Sequence, residues 1–308
     1  MIIKRNFSPR KVVPYVKVDL ALALSSSIIA YLLYTFLKEV ALPFAPMGAL
    51  GTALAIFLAF RTSSSYARWM EAAQIWYNLQ AMSRVFARLI LTFVDAHKHT
   101  AQYKPEDARA FQQEMIFRHL AWVNALRLQL RKQDDWHVLK PFLTPENYQT
   151  LDQKHNKASY LLKQQGSRIY DAMASGTLQG FDSFQLEGCL LQFSNHQAAC
   201  ERLKAIPIPR QYDYFTRLFL RVYIVLLPFF LLSVLGGLPW LVIPLSLMLA
   251  FIYAMLERIG VVNEEPFENR ISDVPLSAIS IQIERDLREL LDNTSLPPSL
   301  VSKDGYLF

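Results

Sequence analysis

The chain has 308 residues, 52% of them hydrophobic, with a formal net charge of +6. A mean hydropathy of +0.16 is high for a water-soluble protein and low for a fully embedded one, so a membrane portion joined to a large water-exposed portion is expected. No clustered Arg/Lys and aromatic motifs accompany the modest basic excess, which excludes nucleic acid as a natural partner and makes the excess a topology signal.

Residues 1–17 are basic and carry Pro9 and Pro14, and no small-residue cleavage pattern follows them, so the segment is expected to stay in the mature chain. From Leu20 to Leu37 no residue is charged, about the minimum length for a spanning helix. A polar, Pro-rich turn through Lys38 and Glu39 leads to a second charge-free run, Val40 to Phe60. Pro43 and Pro46 stand where a helix start tolerates them. Later, Val222 to Leu256 is uncharged and is broken only at Gly236–Pro239, which predicts two further spans and a tight turn. Basic residues flank the spans on one side: Lys4, Arg5, Arg10, Lys11 and Lys17 before the first, Arg61 and Arg68 after the second, Arg217 and Arg221 before the third, Arg258 after the fourth. Such flanks belong in the cytoplasm, so four spans with both termini inside are expected.

Between the second and third spans lies helical sequence. Apolar residues recur at three and four in "WMEAAQIWYNLQAMSRVFARLILTFV" and "FQQEMIFRHLAWVNALRLQL". Two more helices are read in "DQKHNKASYLLKQQGSRIYDAMASGTL" and "DSFQLEGCLLQFSNHQAACERLKAI". Strand signals are nearly absent. After the fourth span a Pro-bearing loop runs to Pro275, and "LSAISIQIERDLRELLDN" predicts a last amphipathic helix before a tail. The resulting division is 1–60 (N-terminal segment and spans one and two), 61–215 (cytosolic helices), 216–258 (spans three and four) and 259–308 (cytosolic loop, helix and tail).

Catalytic chemistry is hard to find. Cys189 and Cys200 make neither a disulfide framework nor a zinc site and are expected to be structural thiols. Asp95, His97 and His99 form the one histidine cluster; on a helix the two imidazoles point apart, and a solvated helix end is the expectation rather than a metal site. No nucleophile elbow, phosphate loop or dinucleotide glycine pattern occurs. An enzyme is not expected, and neither is a cofactor. Attention moves to the second span. Thr52, Ile56 and Phe60, at i, i+4 and i+8, share one helix face with the small Ala45, Gly48 and Ala49 outward and with Ser63 and Ala67 inward. A face that is bulky in its middle and small at both ends suits a pore-lining helix in a ring of identical subunits, the bulky turn gating by dewetting. Packing of small residues against a neighbouring helix accounts for the same stripe.

The stretch "APMGALGTALAIFLAFRTSSSYARWMEA" resembles the second-span signature of the bestrophin family, its bacterial branch above all. "ERLKAIPIPRQYDYFTRLFLRVYIVLLPF", "VVNEEPFENRISDVPL" and "IERDLREL" resemble that family's lead into the third span, its Glu/Asn-Pro-Phe loop after the fourth, and the helix that follows. The resemblance implies an all-α membrane protein. Four transmembrane helices and a large helical cytosolic region would assemble as a homopentamer around one axial pore in the inner (plasma) membrane. It implies a passive channel for small monovalent ions, chloride or another anion in the family at large, with a monovalent cation such as sodium open in the bacterial branch. It places the pore neck on Thr52, Ile56 and Phe60, a cytosolic aperture on Ile208, and the inner pore wall along Ser63 and Ala67. The partners it implies are the chain itself, small inorganic ions and the lipid bilayer. The alternative from another class is a non-conducting membrane scaffold whose cytosolic helices bind a partner.

Four departures from the family pattern bear on this. Thr52 replaces an aliphatic neck residue, which makes that ring wetter. Met70 and Ala73 stand where the family has a second Trp and a second Arg. Arg210 puts a charge beside the expected aperture. Arg270 occupies a position where the calcium-binding members need a carboxylate. Glu264, Glu265, Glu268 and Asp273 are close in sequence, but a guanidinium inside the shell opposes a dication, so no Ca²⁺ activation is expected.

Overall fold

The structure is a computed structural model, and it describes residues 1–3, 9–37, 40–99, 103–302 and 305–307, with the side chains of residues 9–12 excepted. Lys4, Arg5, Lys38 and Glu39, used above for topology, lie outside the described residues, as do the side chains of Arg10 and Lys11. Among the described residues the α-helices are α1 (Pro9–Leu37), α2 (Phe44–Ala96), α3 (Pro105–Arg131), α4 (Pro145–Asp152), α5 (Lys157–Ala174), α6 (Gly180–Ala205), α7 (Arg210–Val234), α8 (Val242–Asn263) and α9 (Leu276–Leu290). No strand occurs among them; Ile2 and Tyr306 meet in an isolated bridge.

Four helical stretches are long and apolar enough to cross a membrane: Val13–Leu37, Phe44–Ala96, Arg210–Val234 and Pro239–Asn263. The first helix starts earlier than the charge-free run suggested, because Pro9 sits at its first position and Pro14 is accommodated inside it. The second is longer than expected. Nothing in Thr52–Ala96 breaks a helix, so α2 continues for 53 residues. At about 1.5 Å per residue that is ~80 Å, far more than a bilayer's ~30 Å of hydrocarbon.

The described residues cluster into two compact units. One comprises 4–69 and 207–266, the other 1–3, 70–206 and 267–308, and α2 contributes to both. In the first unit, α1, α2, α7 and α8 enclose a core of Ala23, Ala30, Met47, Leu54, Leu58, Leu220, Ile224, Leu227 and Ala250, among others. Small residues bring the backbones close where hydrophobicity alone cannot drive association in lipid. Gly51 is one of them. A Cβ there would lie 2.9 Å from the Tyr223 hydroxyl, and the Tyr253 hydroxyl donates to the Gly51 carbonyl at 3.3 Å. The Ser26 hydroxyl donates to the Val225 carbonyl at 2.7 Å, close to Pro228 within α7.

The second unit packs α3, α5, α6, α9 and the C-terminal part of α2. A 3-10 turn, Trp136–Phe142, and α4 precede α5, both unanticipated in the sequence. Thr144 caps α4 through the Asn147 amide, and Asn156 caps α5 through the Ser159 amide. Helix α3 ends at Lys132 in the left-handed region (φ 52°), with the Gln133 amide donating to the Leu128 carbonyl. The end of α2 is exposed at Asp95, Lys98 and His99, as expected of a solvated helix end, and His97 alone departs from that reading. Helix α2 stops at Ala96, and His97 Nε2 lies 2.7 Å from the Asp182 carboxylate, which also accepts from the Gln179 amide at the start of α6. His97 therefore ties one helix end to another helix start. Cys189 and Cys200 are buried free thiols on α6, and burial pushes Cys200 up to about 12.

At the heart of this unit His119 is fully buried among Phe86, Trp122 and Phe193. The Ser83 hydroxyl gives its proton to the Leu79 carbonyl, so His119 Nε2–H must be the donor in the 2.8 Å contact with Ser83 Oγ. The ring is held neutral, and desolvation lowers its pKa from 6.5 to about 3. The unfolded chain therefore binds a proton below pH 6.5 that the folded unit refuses. The stability this contributes is complete above that pH and is lost as pH falls. Between pH 6.5 and 5 the expected loss is about 2 kcal/mol. Thermal unfolding in detergent across that interval checks it, and His119→Leu should flatten the slope.

Candidate pore helix and its inner end

Within its unit, α2 has two faces. Met47, Gly51, Leu54, Leu58, Arg61 and Ser65 are buried at alternating spacings of four and three. This is the seam that packs on the same chain's other helices. Thr52, Ile56, Phe60, Ser63 and Ala67 are all exposed on the other side, with Ile56 52% and Phe60 72% accessible. The stripe singled out in the sequence is thus the face that the chain leaves uncovered. Thr52 is less polar there than its side chain suggests, since its hydroxyl donates back to the Gly48 carbonyl at 2.9 Å and is satisfied within the helix.

Ile208 is half-buried, and it lines one groove of about 530 Å³ with Phe57, Phe60, Ser64, Pro209 and Tyr212. The structure brings Ile208 and Phe60 together. The Ile-Pro lead into α7 thus shares a groove with the inner part of the α2 stripe.

Arg61, one residue beyond Phe60, is 7% exposed. Its guanidinium pairs with Asp213 of α7, with Glu257 of α8 at 3.3 Å and with Glu264 just beyond α8 at 3.8 Å. Arg217 of α7 reaches the same Asp213 at 3.3 Å and the same Glu257 at 3.2 Å. The Arg61 stem runs beside Gly260, where an added Cβ would make only ordinary contact with Arg61 Cγ at 3.7 Å. Burial raises the pKa of Glu264 and the nearby Arg61 and Arg210 oppose the rise. A guanidinium spent on three carboxylates points away from the exposed stripe. The sequence reading missed this cluster because Arg61 is 152 positions from Asp213 and 196 from Glu257. The signal available was an acid at the inner edge of each of two apolar spans, Asp213 and Glu257, opposite an Arg at the edge of a third.

The acidic residues after α8 do not fit a Ca²⁺ shell. Glu264 faces Arg61, and Glu265 faces Arg210 at 3.5 Å. In the other unit Glu268 pairs with Lys204, and the Asp273 carboxylate accepts from the Arg270 amide at 3.0 Å. Burial raises the Asp273 pKa, and this opposes the charged form a dication requires. Among the described residues no three His, Cys, Asp or Glu side chains converge as metal ligands.

Residues 7–289 match the family described as bacterial/fungal bestrophin protein. Among similar proteins is one named voltage-dependent anion channel-forming protein YneE from Salmonella typhi, 28% identical over 283 residues, covering 92% of this chain and 88% of that one. The protein of the same name from Escherichia coli K12 is 29% identical over 262 residues, covering 85% and 81%. Crystal structures of a bacterial bestrophin homologue from Klebsiella pneumoniae superpose closely. A point mutant gives a TM-score of 0.82 at 25% identity over 91% of this chain and 98% of that one. Another crystal structure of that homologue gives 0.79 at 26% identity over 91% and 100%. A family match over nearly the whole chain, four apolar helices of spanning length and the shared helical fold lead to one conclusion: the chain is a membrane protein and belongs to the bacterial/fungal bestrophin family, whose members are channels and not enzymes.

Proposed function

We propose that this chain is the subunit of a passive anion channel, a homopentamer in the inner membrane with both termini in the cytoplasm and one axial pore lined by five copies of α2. The observation that carries the reading is the exposure of Thr52, Ile56 and Phe60 on the face of α2 opposite its packing seam. A ring of five such helices would cover that face and turn it inward. Ile56 and Phe60 then form the neck, Thr52 its outer edge, and Ser63 and Ala67 the inner wall. Ile208, sharing a groove with Phe60, edges the inner end of the neck as the cytosolic aperture residue. Apolar rings gate by dewetting and carry no charge with which to choose an ion. The preference for anions rests on the names that the YneE relatives bear.

Planar-bilayer recording of the purified protein in a NaCl gradient tests the reading. A reversal potential near that of chloride is expected. A reversal near the sodium potential would overturn the anion assignment and leave the pore. A silent bilayer, with Phe60→Ala silent as well, would favour a non-conducting scaffold, as would a particle mass in detergent other than that of a closed ring.

A further inference from the structure

The inner end of the expected neck raises a question that the neck itself does not answer: what holds Phe60 in place? Its next neighbour in the chain is the most heavily engaged buried cation of the membrane-spanning unit. Arg61 reaches Asp213 on α7, Glu257 on α8 and Glu264 after α8, so one side chain fastens α2 to two other elements. We propose that Arg61 is a positioning residue for the gate. Its guanidinium clamps the inner turn of α2 onto α7 and α8, fixes the angle at which Phe60 stands, and takes no part in choosing the ion. This rests on the pore reading above.

The geometry separates gating from selection. A charge that selects an ion must face the lumen. Arg61 is buried on the seam face with its fork spent on carboxylates, while Phe60, 100° round the helix, is exposed. Buried pairs of this kind need not add stability, but removing one partner leaves a charge uncompensated and changes which arrangement is preferred. Two of the three carboxylates, Asp213 and Glu257, are shared with Arg217. Glu264 is not shared with Arg217: its carboxylate pairs with Arg61 at 3.8 Å.

The clamp is therefore sensitive to protons at Glu264. The charged groups facing Glu264 are Arg61 from α2, Arg210 and Asp213 from α7, and Glu265 beside it, and Arg68 of α2 donates to its backbone carbonyl at 3.2 Å. Burial makes its carboxylate take up a proton at a higher pH than an exposed one. Protonation removes one of the anions holding Arg61 and loosens the inner turn. Acidifying the side of the bilayer that bears the basic flanks raises open probability.

The test compares wild type, Arg61→Met, Arg61→Lys and Glu264→Gln in planar bilayers, reading open probability and reversal potential separately. Arg61→Met is expected to raise open probability about tenfold with the reversal potential unmoved. Arg61→Lys, which keeps the charge and loses the fork, should fall between. Glu264→Gln should abolish the acid response. A shifted reversal potential in Arg61→Met would place the charge in the lumen and overturn the proposal, as would unaltered open probability in both Arg61 variants or an acid response retained by Glu264→Gln. If Arg61→Met does not assemble, Arg61→Lys and Glu264→Gln carry the same readouts. Silence of wild type and Phe60→Ala together would instead remove the pore reading on which the clamp depends.

Discussion

Phe60→Ala is expected to open the proposed channel. In bilayer records the variant should show either a raised unitary conductance or an open probability about tenfold above wild type, the latter a shift of roughly 1.4 kcal/mol in the opening equilibrium. The phenyl ring is 72% exposed in the single chain, so little intrachain packing is lost with it. In a five-fold ring the same substitution deletes five aromatic side chains from one level of the pore. The wider, less apolar gap that remains retains water more readily, and a dewetted barrier falls with it. Ile56→Ala, one turn outward, removes a smaller side chain and should act in the same direction with a smaller effect. Leu58→Ala is the control from the opposite face. It is buried in the seam, so it should cost about 2–5 kcal/mol of stability and leave the unitary conductance where it was. If the single-channel records of Phe60→Ala and Ile56→Ala both match wild type, the neck assignment fails.

The stripe was legible in the sequence because a helix is periodic and the spacing of Thr52, Ile56 and Phe60 follows its period. The four spans were legible for a similar reason: a charge-free run of about 18 residues has few other uses. The continuity of α2 was open to reading too, since no Gly or Pro interrupts Thr52–Ala96. What could not be read was anything fixed by long-range pairing. Arg61 read only as a basic flank of the second span, and its partners Asp213, Glu257 and Glu264 come to it across more than 150 positions. His97 looked like part of a solvated end until Asp182, 85 positions later, came within 2.7 Å. The 3-10 turn at Trp136–Phe142 and the eight-residue α4 are too short for hydrophobic periodicity to register. Their positions are set by caps and by packing against α3 and α5.

Trp122→Ala should be the most damaging single truncation in the non-membrane helices. The side chain is fully buried, its ring centroid 5.0 Å from Phe193 and 5.3 Å from His119. Phe193 is itself 4.5 Å from His119 and meets Phe86 edge-on at 5.4 Å, so four rings from α2, α3 and α6 form one block. Neighbouring helices cannot collapse into a space of indole size without moving the rest of the block, and the cavity term adds to the lost transfer energy. A cost of about 3–5 kcal/mol is expected. The indole N–H also donates to Gln197 Oε1 at 3.2 Å, while the Gln197 amide nitrogen is held by Ser159 and Glu201 at 2.8 Å each. Trp122→Phe loses that donor and part of the volume but keeps a ring, which should limit its cost to about 1–2 kcal/mol. Thermal unfolding of the three proteins in detergent separates the contributions. A melting point for Trp122→Ala no lower than that for Trp122→Phe would mean that the block relaxes around the loss, and that the hydrogen bond outweighs the packing. The expected order, with alanine well below phenylalanine, places most of the stabilisation in the contact of Trp122 with His119 and Phe193. It also explains how a histidine without a charge partner stays neutral there, since the same rings that pack against it exclude the water its cation would need.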